Sequence, residues 1–203
     1  MDKDRIIDTI IALEWELFGR VDNIGGRAEC QDDSLTFRIM RGSQFGGWDE
    51  AMLTSYRQDL EEAQAHGRNP LADKYGYMME RTDPQGFAHI RDSLPPVSEK
   101  KRDLIAQIAA IVIGWQRQLI ESYPNLSKNG RKLLAEEDTS YPSFETYLNG
   151  ELSTYSERTL MAYLARAQAL SASGENMNKM ILLATVASYG FSTLEEAERA
   201  AGN

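Results

Sequence analysis

The chain is poor in cysteine and histidine, the side chains that most often form disulfides or bind structural zinc. Cys30 is the single cysteine, so no internal disulfide can form and no cysteine pair is present to bind zinc. The two histidines, His66 and His89, lie in neither a His-Glu-x-x-His motif nor the paired Glu-x-x-His motifs of a di-iron bundle. The sequence therefore predicts no metal site.

Basic residues are in the minority, which limits the classes of partner. The 22 lysines and arginines are outnumbered by 31 aspartates and glutamates, giving a net charge of −9. A protein that binds duplex nucleic acid uses cations to displace phosphate counterions, and an anionic membrane surface repels an acidic protein. We therefore expect neither nucleic acid nor a membrane as a partner.

Long apolar runs are absent as well. The longest, Leu104–Trp115, contains Gln107 and is too short to cross a bilayer, so it predicts a buried core helix. The first five residues carry charges of both signs and do not resemble a signal peptide. These features predict a cytoplasmic protein.

The glycines do not form a known phosphate-binding loop. Gly25-Gly26 and the segment 42–47 match neither a P-loop nor a dinucleotide-binding fingerprint, and no strand precedes them. A Gly-x-Ser-x-Gly nucleophile elbow is also missing. The paired glycines predict a turn after the first helix, and the sequence predicts no cofactor.

Helical periodicity dominates what is present. Apolar residues recur at spacings of three and four along most of the chain, with helix-start residues such as Asn69, Ser98 and Asn176 before the stripes. The pattern predicts an all-α fold, a compact bundle of roughly nine to eleven helices in a single domain over residues 1–203. The one candidate subdomain seam lies near 95–98, and the helix after Ser98 is expected to be central because it is apolar around much of its circumference.

The segment 34–41 is ambiguous. Leu35, Phe37 and Ile39 alternate with polar residues as in a strand, whereas Asp33 and Ser34 are good helix-start residues and Leu35 and Ile39 form an i,i+4 pair. Because no second convincing strand is available to pair with it, we predict a helix.

A short helix is expected at 143–148, closed by Asn149-Gly150. Glu151 would then lie just past a glycine turn, where a buried carboxylate near a pocket could serve as a general base. The alternative is an ordinary acidic residue before the next helix.

Cys30 allows two interpretations. Arg27 and a nearby helix start could lower the pKa of its thiol and make it nucleophilic, whereas Asp32 and Asp33 would oppose that effect. The alternative, which we favour, is a small buried packing residue.

Polar and aromatic side chains concentrate at the predicted helix junctions, where a bundle could bring them into one pocket. Arginines there suit a carboxylate or phosphate through bidentate hydrogen bonds, so the pocket predicts a small anionic ligand. A structural network of arginines and helix-end carbonyls is the equal alternative. The candidate pocket residues are Arg27, Cys30, Gln31, Asp32, Arg41, Gln44, Trp48, Arg68, Asn69, Lys74, Tyr75 and Glu151.

Two functional hypotheses follow. The first is a small-molecule-binding protein or enzyme that uses this pocket. The second is a non-enzymatic interaction or dimerisation module, forming a homo-oligomer or binding a partner through the stripe of Trp48, Met52 and Tyr56 or the face near Met78 and Met79.

The chain also resembles a known family over nearly its whole length. The matching segments include 14–18, 23–32, 37–41 and 150–155, and the run from Gly25 to Asp32 is the most specific. They resemble the bacterial domain-of-unknown-function family 4125. The resemblance implies a bacterial origin and no particular activity. Pro70 and Gly46-Gly47 depart from the family pattern, and the glycine pair is expected to loosen the link to Trp48.

Overall fold

The computed structural model describes residues 2–22, 26–139 and 141–202, and within these ranges it contains eleven α-helices and no strand. The all-α prediction and the predicted number of helices are confirmed. The predicted turn at Gly25-Gly26 lies partly outside the described residues, which resume at Gly26. The helices are α1 (Lys3–Phe18), α2 (Ser34–Gly46), α3 (Glu50–Ala65), α4 (Pro70–Thr82), α5 (Pro84–Ile90), α6 (Glu99–Ser122), α7 (Pro124–Ser127), α8 (Phe144–Thr154), α9 (Glu157–Ala172), α10 (Met177–Ser188) and α11 (Leu194–Ala201).

Side-chain caps fix where many of these helices begin. Asn69 accepts hydrogen bonds from two amides at the start of α4, and Pro70 occupies the first helical position. The hydroxyl of Ser98 accepts from the amide of Lys101, and the Asn176 side chain accepts from the amide of Lys179. The three helix starts predicted at Asn69, Ser98 and Asn176 are confirmed.

The ambiguous segment 34–41 is helical, as predicted. The Asp33 carboxylate caps α2 by accepting from the amide of Thr36, and the helix continues to Gly46. Gly47 ends it with ordinary right-handed backbone angles. A Cβ at Gly47 would lie 3.1 Å from Cγ of Met177, so the residue lets α10 approach the end of α2 closely and does not loosen the link to Trp48.

The main core is built by α1, α3, α6 and α9, with α6 longest at 24 residues and packed against α8, α9 and α10. Helix α6 is nevertheless not enclosed on all sides, because Ala106, Gln107 and Ala110 are exposed. Ile10, Leu53, Leu60, Ile108 and Leu160 are completely buried in this core. A second, smaller buried cluster lies where the end of α6 meets α10 and α11. The single domain and the seam near 95–98 stay predictions.

The prediction that the helix after Ser143 closes at Asn149-Gly150 is wrong. Helix α8 continues through Gly150 to Thr154 and packs along α4. A Cβ at Gly150 would lie 2.6 Å from Cγ of Met78 and 3.0 Å from the carbonyl oxygen of Lys74. The glycine therefore allows two helices to approach each other and does not form a turn. As a result Glu151 is a buried residue inside the helix, 7% exposed.

This packing gives a first testable prediction. Gly150→Ala should lower the free energy of unfolding by about 1–3 kcal/mol, because the added methyl group overlaps the neighbouring helix. Gly114→Ala in α6 is the matched control, since nothing lies within 4 Å of a Cβ there, and it should raise stability by up to about 1 kcal/mol through helix propensity. Urea unfolding of both variants measures the difference. Equal effects would show that α4 and α8 are not in close contact.

Candidate functional site

Three helices bring a buried ion cluster together. Arg41 of α2 lies between Glu14 of α1 and Glu151 of α8, and all three side chains are at least 85% buried. The Nε of Arg41 donates to Oε2 of Glu14 at 2.6 Å, and its Nη2 donates to the other oxygen of that carboxylate. Its Nη1 donates to Oε1 of Glu151 at 3.1 Å. One guanidinium thus bridges two carboxylates, the bidentate geometry that arginine suits best.

Neutral side chains complete this cluster. The Tyr56 hydroxyl donates to Oε1 of Glu14 at 2.7 Å, and the Tyr155 hydroxyl donates to Oε1 of Glu151 at 2.8 Å. Gln44 accepts from Nη1 of Arg41 at 2.7 Å and donates to Oε1 of Glu151 at 3.0 Å. Buried charges are tolerated only when they are paired and hydrogen-bonded in this way.

The second carboxylate oxygen of Glu151, Oε2, differs from the first in its hydrogen bonding. Its Oε2 accepts no hydrogen bond from the described residues, and the Lys74 ammonium lies 4.0 Å from it. Lys74, on α4, donates to the Tyr147 hydroxyl at 2.7 Å, and its Nζ lies 4.4 Å from the centre of the Tyr147 ring. An ammonium has three donors, so Lys74 retains donors beside an open carboxylate oxygen.

Both groups are held in their charged forms. Burial alone would raise the pKa of Glu151, but Arg41 and Lys74, with hydrogen bonds from Tyr155 and Gln44, lower it to about 2. Burial would lower the pKa of Lys74, but its interactions with Tyr147 and Glu151 outweigh that effect and raise it. Glu151 is therefore ionised and Lys74 protonated at neutral pH.

A cavity of about 270 Å³ opens beside this pair. Rings of Phe18, Phe37, Tyr75 and Tyr147 form much of its wall. The rings of Phe18 and Phe37 stack 5.3 Å apart, which fixes one side of the wall. The solvent side is bordered by exposed residues, namely Cys30, Asp33, Thr36 and Met40. Within the described ranges no three histidine, cysteine, aspartate or glutamate side chains form a group that could hold a metal ion.

The structure brings part of the predicted pocket to this cavity. Cys30, Arg41, Lys74, Tyr75 and Glu151 line it. Cys30 is exposed and is not the buried packing residue that we favoured, because in the short 3-10 turn at residues 29–31 it is Gln31 that is buried. Gln44 lies one layer deeper, bonded to both Arg41 and Glu151.

Trp48 belongs to the core and not to the cavity wall. It is 1% exposed, and its ring contacts those of Phe45, Tyr56, Tyr155 and Tyr163. Its indole Nε1 has no hydrogen-bond partner among the described residues. The residue packs the helices that position the ion cluster.

A local hydrogen-bond network at the end of α1 is formed by Arg27, Gln31 and Asp32. Nε of Arg27 donates to Asp32 at 2.9 Å, and its Nη1 donates to the carbonyl oxygen of Gly19 at 3.1 Å. The buried Gln31 amide donates to the carbonyl oxygen of Phe18 at 2.8 Å. These contacts satisfy helix-end carbonyl groups, which is the structural alternative stated for this set.

A second local hydrogen-bond network, at the start of α4, contains Arg68 and Asn69. Arg68 is exposed and donates to Asp73 at 3.1 Å, while Asn69 caps α4 and donates to the carbonyl oxygen of Leu17 at 2.8 Å. Arg27 and Arg68 line neither this cavity nor the ion cluster, so Arg41 is the one member of the predicted arginine trio found there.

Two side chains that matter for the cavity were absent from the sequence-based set, Glu14 and Tyr147. Glu14 carried a readable signal, because it lies on the apolar face of α1 between Ile10 and Leu17. A carboxylate on a face that must be buried requires a cationic partner. Tyr147 carried no such signal, because its role depends on a contact with Lys74, which lies 73 residues away in sequence.

Most residues of the two faces considered for a partner protein are buried within the chain, whereas Met79 is partly exposed. Trp48, Met52, Tyr56 and Met78 are at most 6% exposed. These four side chains pack in the cores formed by α3, α4 and their neighbours.

These observations define an all-helical protein with a buried ion cluster beside an aromatic cavity. The chain belongs to the family described as "Protein of unknown function (DUF4125)", whose model matches residues 4–199. The resemblance inferred from the sequence is thus confirmed over nearly the whole chain. Neither the curated proteins nor the solved structures provide a match to the chain. Among the described helices, none combines the length and the apolar character needed to span a bilayer.

Proposed function

We propose that this protein binds a small, planar, uncharged molecule in the aromatic cavity. The observation that carries the proposal is the pair of Lys74 and Glu151, 4.0 Å apart at the cavity wall, with donors and one acceptor oxygen still available. A guest with a hydrogen-bond donor next to an acceptor on one edge, such as a heteroaromatic lactam, complements both groups at once. Sites of this kind combine apolar walls with a few placed polar groups.

The charge balance of the wall supports an uncharged guest. Arg41 and Lys74 are offset by Glu14 and Glu151, Asp33 adds a third acid at the exposed border, and Arg41 is already bonded to both glutamates. An anion would gain from Lys74 but would be repelled by two buried carboxylates. Aromatic carboxylates, which represent the anionic ligand predicted from the arginines, are therefore compared with uncharged ligands in the test of this proposal.

The aromatic wall supports a planar guest. Tyr75 and Tyr147 lie beside Lys74, while Phe18 and Phe37 form a stacked pair on the wall. Aromatic rings favour offset or edge-to-face contacts with a second ring at centroid distances of about 4.5–7 Å. A flat ring can make such contacts while its polar edge reaches the ion pair.

Binding is better supported than acid–base catalysis. A general acid or base works best when its pKa lies near the operating pH. The pKa of Glu151 is about 2 and that of Lys74 is raised above its ordinary value. Both groups therefore hold their charges through the neutral range and act as fixed hydrogen-bonding partners. The cytoplasmic and bacterial setting remains a prediction from the sequence.

The proposal is tested with a ligand panel and a variant of Lys74. Heteroaromatic lactams, aromatic carboxylates and aromatic amines of equal size are screened against the protein by saturation-transfer NMR. We expect lactams to bind best, and Lys74→Met to raise their Kd roughly tenfold or more, the magnitude typical of a hydrogen bond to a charged group. Lys128→Met, which changes an exposed lysine remote from the cavity lining, is the control.

The other outcomes have definite meanings. Carboxylates that bind more tightly than lactams, with a loss in Lys74→Met, would replace the uncharged ligand by the anion predicted from the sequence. Equal Kd values in the wild type and in Lys74→Met would overturn the proposed site. Thermal unfolding of each variant confirms that the comparison is made on folded protein.

A further inference from the structure

A second cavity lies on the other side of Tyr147 and Glu151. Its volume is about 340 Å³, and it lies among α2, α6, α8 and α10. Large apolar side chains line it that are only partly buried by the chain itself, namely Ile120, Leu126, Phe144, Leu148, Ile181 and Leu182. Protein interiors usually leave few voids larger than a water molecule. An apolar space of this size is therefore suited to a guest.

Several polar groups in its wall are already hydrogen-bonded. The amide of Asn178 donates to Gln116 at 3.0 Å and to the carbonyl oxygen of Val112 at 3.2 Å. The Thr185 hydroxyl donates to the carbonyl oxygen of Ile181 at 2.9 Å. A guest that lies against these groups needs no hydrogen bonds of its own, and an aliphatic chain meets that condition without leaving a buried polar atom unpaired.

A cation lies at the exposed side of this cavity. Arg131 is exposed, its guanidinium lies 4.6 Å from the centre of the Tyr147 ring, and its Nη1 donates to the carbonyl oxygen of Pro142 at 2.9 Å. Glu151 is the other charged residue of the lining, and it is buried and bonded to Arg41. The guanidinium has five donors, so Arg131 retains donors for an anionic head group at the solvent side.

We infer that the second cavity binds a fatty acid of medium chain length, with its aliphatic chain among the leucines and isoleucines and its carboxylate on Arg131. The apolar wall supplies most of the affinity, in proportion to the area removed from water. The guanidinium supplies selectivity for an anionic head, since arginine binds carboxylates through paired donors. This inference does not depend on the function proposed for the first cavity, because Lys74 lines only the first cavity and Arg131 only the second.

The test compares decanoate with decanol, which share a chain length and differ in the head group. Binding to the full chain, stripped of lipid before use, is measured by isothermal titration calorimetry. Decanoate should bind more tightly than decanol, and Arg131→Gln should raise the Kd of decanoate roughly three- to fivefold, the upper range for an exposed ion pair, while changing that of decanol less than about twofold. Arg117→Gln, at an exposed position of α6 outside the cavity lining, is the matched control and should leave both values unchanged.

A second variant tests the position of the chain. Leu182→Trp fills the cavity and should abolish binding of both probes, with circular dichroism verifying the fold. Because Arg131 is exposed, its variant remains informative even if Leu182→Trp fails to fold. Equal affinity for the two probes would overturn the assignment of Arg131, and no binding of either probe would overturn the cavity. Neither result affects the test of the first cavity, because lactam binding there depends on Lys74.

Discussion

Replacing Arg41 by methionine is expected to lower the free energy of unfolding by about 3–5 kcal/mol, the cost typical of breaking a buried ion pair. Methionine keeps an unbranched apolar stem as far as the position of Nε but removes the charge that neutralises Glu14 and Glu151. Both carboxylates would stay buried, and the hydrogen bonds that Nε, Nη1 and Nη2 donate to them would be lost. Urea unfolding followed by circular dichroism measures the effect.

Arg38→Met in the same helix provides the matched control. Its side chain is 64% exposed and pairs with Asp8 at 3.3 Å, and exposed pairs contribute about 0–1 kcal/mol. Adding Glu14→Gln and Glu151→Gln to Arg41→Met should recover part of the loss, because the uncompensated charges are removed together. A loss below about 1 kcal/mol in Arg41→Met would mean that water reaches the cluster and screens it.

Acidification provides the second large effect. The pKa of Glu151 lies at about 2 in the folded protein, below its ordinary value of 4.5. A carboxyl group with a depressed pKa stabilises the fold above its unfolded pKa and loses that contribution as the pH falls through the folded value. At 1.36 kcal/mol per unit, Glu151 contributes about 3 kcal/mol at neutral pH, which should be lost between about pH 5 and pH 2.

Other acidic groups also titrate in this range, so the measurement is a difference. The free energy of unfolding is followed from pH 7 to pH 2 in the wild type and in Glu151→Gln, and the wild type should lose about 3 kcal/mol more than the variant. Glu136→Gln, which changes an exposed acid, should follow the wild-type curve. Parallel curves for the wild type and Glu151→Gln would show that the carboxyl group is not held in its charged form.

The helices were largely predictable because their signals are local. Caps such as Ser98 and Asn176 and apolar stripes at helical spacing are readable within one segment. Helix α8 was the exception. Gly150 has the composition of a turn, but its lack of a side chain serves contact with Met78 and Lys74, which are more than seventy residues distant in sequence. The sequence alone does not distinguish a glycine that allows close helix packing from a glycine that forms a turn.

The candidate site was only partly predictable, for a related reason. Arg41, Lys74, Tyr75 and Glu151 were identified as polar and aromatic residues at helix junctions, although the structure places all four inside helices. Distinguishing Arg41 from Arg27 requires knowing which carboxylate each meets. Arg41 meets one 27 residues away and another 110 residues away, whereas Arg27 meets an acid five residues away. Long-range pairing of this kind is a property of the tertiary arrangement.

The ion cluster also constrains how the helices can pack. Apolar stripes alone would allow α1, α2 and α8 to pack in several alignments of similar free energy, because the hydrophobic effect is not directional. A shift of α2 by one residue turns its side chains by about 100° and would swing the guanidinium of Arg41 away from both acids. Every such misaligned packing would have to bury lone charges. The cluster thus favours one relative position of the three helices and raises the free energy of arrangements that are shifted from it.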